Sequence, residues 1–190
     1  MRIGYTPRME SPVHNTPSLY RGTLGEAFDS LPTVLRHFHD HPHDARARGS
    51  LRVTRGTGWL RQAMAAAMRL PSPGEQVPVL LHVQANAEEE RWTRDFGTLR
   101  LVTRQWRRNG LLIEAAGPLR FGFHLTANPE EMRFEFARCW LMGIPLPLFL
   151  SPRVNAWVSE YEEGWWARVR VEAPLLGLLT QYEGKVTPQC

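Results

Sequence analysis

From Gln76 to the C-terminus, apolar and polar residues alternate with a period of two. Nine segments carry the pattern: VPVLLHVQA, ERWTRDF, TLRLVTRQW, GLLIEAAG, LRFGFHLT, EMRFEFARCW, RVNAWVSEY, WWARVRVEA and LLTQYEGKV. That period sends successive side chains to opposite faces of a strand. Turn formers separate them in FGT, RNG, GPL, NPE, EEG and PLLG. With the earlier GSLRVTRG, about ten strands joined by short connections predict an antiparallel meander. A sheet that wide curls, closes or is covered by helices. The predicted class is therefore α+β, mostly β: a strongly curved antiparallel sheet or open barrel of about ten strands, with two or three N-terminal helices packed on it.

The two faces differ in chemistry. Leu119, Phe121, Phe123 and Leu125 share one side of their strand, with Arg120 and His124 on the other. Met132, Phe134 and Phe136 oppose Arg133 and Glu135. Ala167, Val169 and Val171 oppose Arg168, Arg170 and Glu172. The charged side reads first as a solvated outer face with cross-strand ion pairs. An anion-binding groove would require those arginines to converge on a concave surface.

Before the strands the period lengthens. In TPSLYRGTLGEAFDSL, Thr16 and Pro17 suit a helix start, and Tyr20, Leu24, Ala27, Phe28 and Leu31 form a stripe. Ser30 opens a second short helix with Leu31, Val34, Leu35 and Phe38 inward. GWLRQAMAAAMRL gives the strongest helical signal: Trp59, Leu60, Ala63, Met64, Ala67 and Met68 on the apolar side, Arg61, Ala65 and Arg69 opposite. Residues 1–16 lack a period and read as a flexible arm, leaving residues 17–190 as a single domain.

Composition narrows the function classes. The chain has 190 residues, 43% hydrophobic and 22% charged, with seven tryptophans and a net charge of +4. Lys185 is the only lysine, so the basic surface is arginine, which suits anionic partners and equally a genome rich in arginine codons. Cys139 and Cys190 are too few for a disulfide framework. There is no secretory signal and no apolar run of membrane-spanning length, so a cytoplasmic protein is expected. RLVTRQWRR is weak evidence for nucleic acid, and no such partner is expected. Phosphate-cradling glycine loops, nucleophile elbows, Cys–His pairs and zinc-finger spacings are missing.

As a set, LGEAFDSLPTVLRHFH, RGTGWLRQAMAAAMRLPSPGEQVPV, ERWTRDFG, LIEAAGPLRFGFHL, MGIPLPLFLSPRV and APLLGLLTQYEG resemble a family of bacterial domains of unknown function. Members occur alone or behind a saccharopine-dehydrogenase-like, NAD(P)-binding domain. The resemblance covers nearly the whole chain from about Leu19 and carries no activity with it. It implies an NAD(P)-binding, dehydrogenase-like protein as a partner, but no redox cofactor for this chain. It singles out His39 as the family's histidine. YEEGWWARV is a tryptophan-rich version of the family's late turn, and Lys185 stands where an aromatic is common.

Three places carry candidate chemistry. RHFHDHPHD spaces His37, His39, His41 and His43 by two, yet its proline and turn formers do not make a rigid frame for three or four zinc ligands. It reads as a solvated turn, and no metal site is assigned. His39 alone reads as a buried, hydrogen-bonded imidazole or a general base. The second constellation is Trp92, Arg94, Glu114, Arg120, His124, Tyr182 and Glu183, where Arg94, Glu114 and Arg120 make either an ion-pair network or the polar end of a pocket. The third is MGIPLPLFLSP, either a crossover covering the core or a pocket lid or membrane-contacting loop.

The leading reading is a cavity between curved sheet and helices that binds a small hydrophobic molecule, lipid-like or polyketide-like. Its expected wall is Trp59, Met64, Met68, Trp92, Phe121, Phe123, Phe134, Trp140 and Tyr182, with Arg94, Glu114 and Arg120 orienting a polar head. The alternative is a cofactor-independent cyclase, isomerase or hydrolase using Glu114, His124 or His39 for proton transfer. A third reading is a protein-interaction module.

Overall fold

The computed structural model describes residues 17–40, 44–86 and 88–189. The predicted arm, His41, His43 and Cys190 lie outside them. Helix α1 (Leu19–Leu24), a 3₁₀ helix (Gly25–Ser30) and α2 (Thr33–His39) lead into β1 (Asp44–Arg55), and α3 (Trp59–Ala67) follows. Then come β2 (Gly74–Ala85), β3 (Glu89–Asp95), β4 (Arg100–Arg108), β5 (Leu111–Ala116), β6 (Leu119–Ala127) and β7 (Glu131–Leu141). A two-residue β8 (Ile144–Pro145), β9 (Arg153–Tyr161), β10 (Gly164–Ala173) and β11 (Gly177–Gln189) complete the chain.

Ten strands close into an antiparallel barrel. The order runs β6-β5-β4-β3-β2-β1-β11-β10-β9-β7, and pairing of β6 with β7 joins the ends; β8 sits beside β7. The meander is as the alternation predicts, but closure depends on β1 pairing with both β2 and β11 along most of its length. Closure removes the exposed edges that an open sheet would leave. Register shifts at Leu51/Val53, Gly122/Phe123 and Val171/Glu172 supply the local bends.

Local chemistry sets the turns. Asn109 and Gly110 both take positive φ, as a two-residue hairpin of this hand requires. Asn86 and Asn128 each accept two backbone N–H bonds, from Glu88 and Glu89 and from Glu130 and Glu131. The repeated N-x-E-E thus closes two hairpins at one end of the barrel.

α1, the 3₁₀ helix and α2 plug that end, while α3 packs on β11 toward the other. The single long first helix expected from the stripe is broken at Gly25 (φ 59°). The chain turns into the 3₁₀ helix and α2, and Arg21 ties the three together through Asp29 (2.8 Å) and Asp40 (3.0 Å). Tyr20, Phe28, Leu31, Leu35 and Phe38 are buried against the barrel interior. α1 rests on β4 and β6, and α2 on β10.

The orientation of α3 corrects the apolar stripe read from its sequence. Ala65, assigned to the polar side, is fully buried, whereas Trp59 is 76% exposed. Ala65 packs with Leu70, Val171, Ala173 and Leu179, with Met64 and Met68 alongside. A small side chain lets the helix approach the barrel closely. Arg61 and Arg55 then hold the segment by donating to the carbonyls of Leu176 and Leu70. Among the described residues, no helix is long and apolar enough to cross a membrane.

Candidate binding cavity

The barrel interior holds a cavity of about 190 Å³. The inward residues of β6, β7 and β10 give it an apolar wall, including Phe121, Phe123, Phe134, Val169 and Val171; Trp165 and Trp92 stand deeper. Tyr20, Phe38 and His39 form its floor on the plug. The Tyr20 and His39 ring centroids are 3.9 Å apart, and Phe38 lies 4.7 Å from Trp165.

One polar cluster interrupts the apolar wall. Adjacent strands β3, β4 and β5 present Arg94, Thr103 and Glu114 to the cavity. Arg94 Nη1 donates to Thr103 Oγ1 at 2.8 Å and to Glu114 Oε1 at 2.9 Å, and Thr103 Oγ1 donates to the same oxygen at 2.6 Å. The Arg94 and Glu114 side chains are only 17% and 16% exposed. Glu114 Oε2 and the remaining Arg94 donors have no hydrogen-bond partner among the described residues, and neither has the Tyr182 hydroxyl, which lines the same cavity. Burial pushes the Tyr182 hydroxyl up to about 12 despite the opposing pull of Arg94, so it stays a donor at neutral pH.

A second buried layer lies toward the plug. Tyr20 donates to Gln105 Oε1 at 2.8 Å, and Trp92 Nε1 donates to Glu90 Oε2 at 2.9 Å. Glu90 and Gln105 are paired across β3 and β4. Burial raises the Glu90 carboxyl from its ordinary 4.5 to about 7, against the smaller opposing effect of the Trp92 bond. The folded protein therefore keeps a proton on Glu90 between pH 4.5 and 7 where the unfolded chain has lost it. The contribution of Glu90 to stability is expected to fall as pH rises across that window, by up to roughly 3 kcal/mol, and to level off above it. Glu90→Gln is expected to remove this slope while keeping an acceptor for Trp92. Urea titrations at several pH values check it, and an unchanged slope in the variant would refute the assignment.

The sequence-derived site divides between two sides of the wall. Met68, Trp92, Arg94, Glu114, Phe121, Phe123, Phe134, Tyr182 and His39 line the cavity. Arg120, His124 and Trp140 do not; they line an open groove on the outer face with Trp106, Arg108 and Arg138. Strand parity is the reason, since Arg120 and His124 alternate with Phe121 and Phe123. The register shift at Gly122 sets Cys139 against Phe121 and leaves Trp140 outward. Arg120 therefore cannot join Arg94 and Glu114, and His124 cannot act with them. Trp59 projects from the surface, and Met64 packs in the cluster under α3. Glu183 pairs with Arg168 on the exterior. His37 is exposed while His39 is buried, so those two do not converge. Glu90, Thr103 and Gln105 were not singled out in the sequence, and Tyr20 was read only as part of a helical apolar stripe. Parity with Trp92, Arg94 and Leu101 would have turned the first three inward.

The fold and its interior define a closed antiparallel β-barrel with a largely apolar internal pocket and a helical plug. The chain belongs to the DUF4166 family, described as a domain of unknown function, whose model matches residues 31–186. No curated protein matches it. Among solved structures it is similar to a protein of unknown function from the DUF3598 family of Nostoc punctiforme, with 8% identity and a TM-score of 0.49. The match covers 76% of this chain and 47% of that one, so the chain spans about half the length of its structural neighbour.

Proposed function

We propose that the barrel binds a small hydrophobic molecule, lipid-like or polyketide-like, with one polar end. The observation carrying this reading is the set of half-buried polar atoms without protein partners on the wall of an apolar cavity: the outer donors of Arg94, the Tyr182 hydroxyl and Glu114 Oε2. Buried polar groups are nearly always satisfied, so a ligand group that both accepts and donates fits them. A protonated carboxylic acid or a hydroxy-carbonyl group has that character. A volume of about 190 Å³ lies below the roughly 300–1,000 Å³ of drug-sized sites, which favours one slender chain over fused rings.

Native mass spectrometry of the purified protein is expected to show a bound hydrophobic molecule, and calorimetry to show binding of decanoic acid. Tyr182→Phe, which removes a single oxygen, is expected to weaken decanoic acid about tenfold, or 1.4 kcal/mol, with the melting temperature preserved. Absence of both the adduct and the calorimetric signal would end this reading. A second reading, a cofactor-independent enzyme, is favoured by Glu114 and His39 lining the same cavity. Turnover lost in Glu114→Gln and in His39→Ala, with folding retained, would select it.

A further inference from the structure

The two ends of the barrel differ in their carboxylates, although Arg107 and Arg108 also stand at the plugged end. At the plugged end, the connections after β2, β6 and β9 carry Glu88 and Glu89, Glu130 and Glu131, and Glu162 and Glu163. At the other end, residues 56–73, 96–99, 117–118, 142–152 and 174–176 contain no Asp or Glu. The carboxylates on the strand termini there, Glu75, Asp95 and Glu172, are paired with Arg52, Arg100 and Arg170. Arg69 and Arg153, both exposed, have no ion-pair partner among the described residues. Arg120 and Arg138, on the outer face nearby, have none either.

The same end concentrates the exposed apolar side chains. Trp59 and Leu60 project from the start of α3. Met142 (76% exposed), Ile144, Leu148, Phe149 (68%) and Leu150 project from the crossover after β7, and Leu175 (99%) caps the β10–β11 turn. The crossover is an ordered protrusion: the Leu150 and Ser151 N–H groups donate to the Pro147 carbonyl, and Ser151 Oγ lies 3.2 Å from the Leu146 carbonyl. Met142 N–H donates to Pro118 O, fixing the tip against the neighbouring hairpin.

We propose that this end of the barrel docks on an anionic lipid bilayer. Separate apolar tips on three connections suit a medium that admits projecting side chains without matched pockets. Unpaired arginines beside them suit anionic headgroups, and the carboxylates of the far end are held away from the surface. This surface stands apart from the ligand reading. It lies over that cavity, whose wall residues Met68, Leu70, Leu119 and Val171 are beneath this end.

Vesicle flotation tests it. The full chain is expected to float with vesicles of equal parts phosphatidylcholine and phosphatidylglycerol, and at least tenfold less with phosphatidylcholine alone. Raised salt should release it. Leu148→Asp with Phe149→Asp, in exposed positions, should abolish flotation with thermal unfolding unchanged. Arg69→Glu with Arg153→Glu should weaken binding to the anionic vesicles at least tenfold. Three results would overturn the proposal: no flotation on anionic vesicles, equal flotation of the Asp variant, or a concentration-dependent dimer that the Asp variant dissolves. The last would assign this end to a second copy of the chain.

Discussion

Glu114→Ala is expected to lower the unfolding free energy by about 3–5 kcal/mol, because it leaves the Arg94 guanidinium buried without its counter-charge. The loss exceeds what an exposed ion pair on the outer face could give, about 1 kcal/mol or less. Three strands meet at this cluster, and Thr103 Oγ1 would lose its acceptor at 2.6 Å as well. The paired change Arg94→Met with Glu114→Leu should recover most of the stability, since two apolar side chains suit the surrounding wall. Urea unfolding of the single and double variants measures both effects. A single variant within 1 kcal/mol of the parent would show that water reaches Arg94, and the cavity would then be wet.

The second large effect is expected at the plug. Phe28 is fully buried, in a 3₁₀ helix of six residues that has little stability of its own. Arg21 lies over its ring at 4.5 Å, and the same guanidinium bonds Asp29 and Asp40. Phe28→Ala removes the ring on which these segments are stacked and is expected to cost about 3–5 kcal/mol. Loosening of the plug should also speed hydrogen exchange in α1 and α2 more than in β10 and β11, because the barrel ladder closes without them. Uniform acceleration across all strands would instead mean that plug and barrel unfold as one unit.

Strand content was legible because burial on one face imposes a period of two on every strand, whatever its neighbours. Nine segments from Gln76 onward fall within a few residues of the observed strands, and β9 matches its predicted span, Arg153–Tyr161. The inward place of Arg94, Trp92, Phe121 and Phe123 follows from the same parity. Parity also separates Arg120 and His124 from them, so grouping Arg120 with Glu114 ran against the alternation. Trp140 is different: the register shift beside Gly122 moves it outward, and a bulge leaves no mark in the alternation of one strand.

Side-chain periodicity thus determined the strands, the meander and which residues face the barrel interior, since each depends only on positions close along the chain. Tertiary structure decided closure, the plugging of one end, the burial of Ala65 instead of Trp59, and the meeting of Arg94, Thr103 and Glu114. These depend on segments far apart in sequence, such as β1 against β11, whose pairing sets the curvature. Antiparallel alternation sends the connections after β1, β7 and β10 to one end, and closure of the barrel gathers their apolar tips into a common surface.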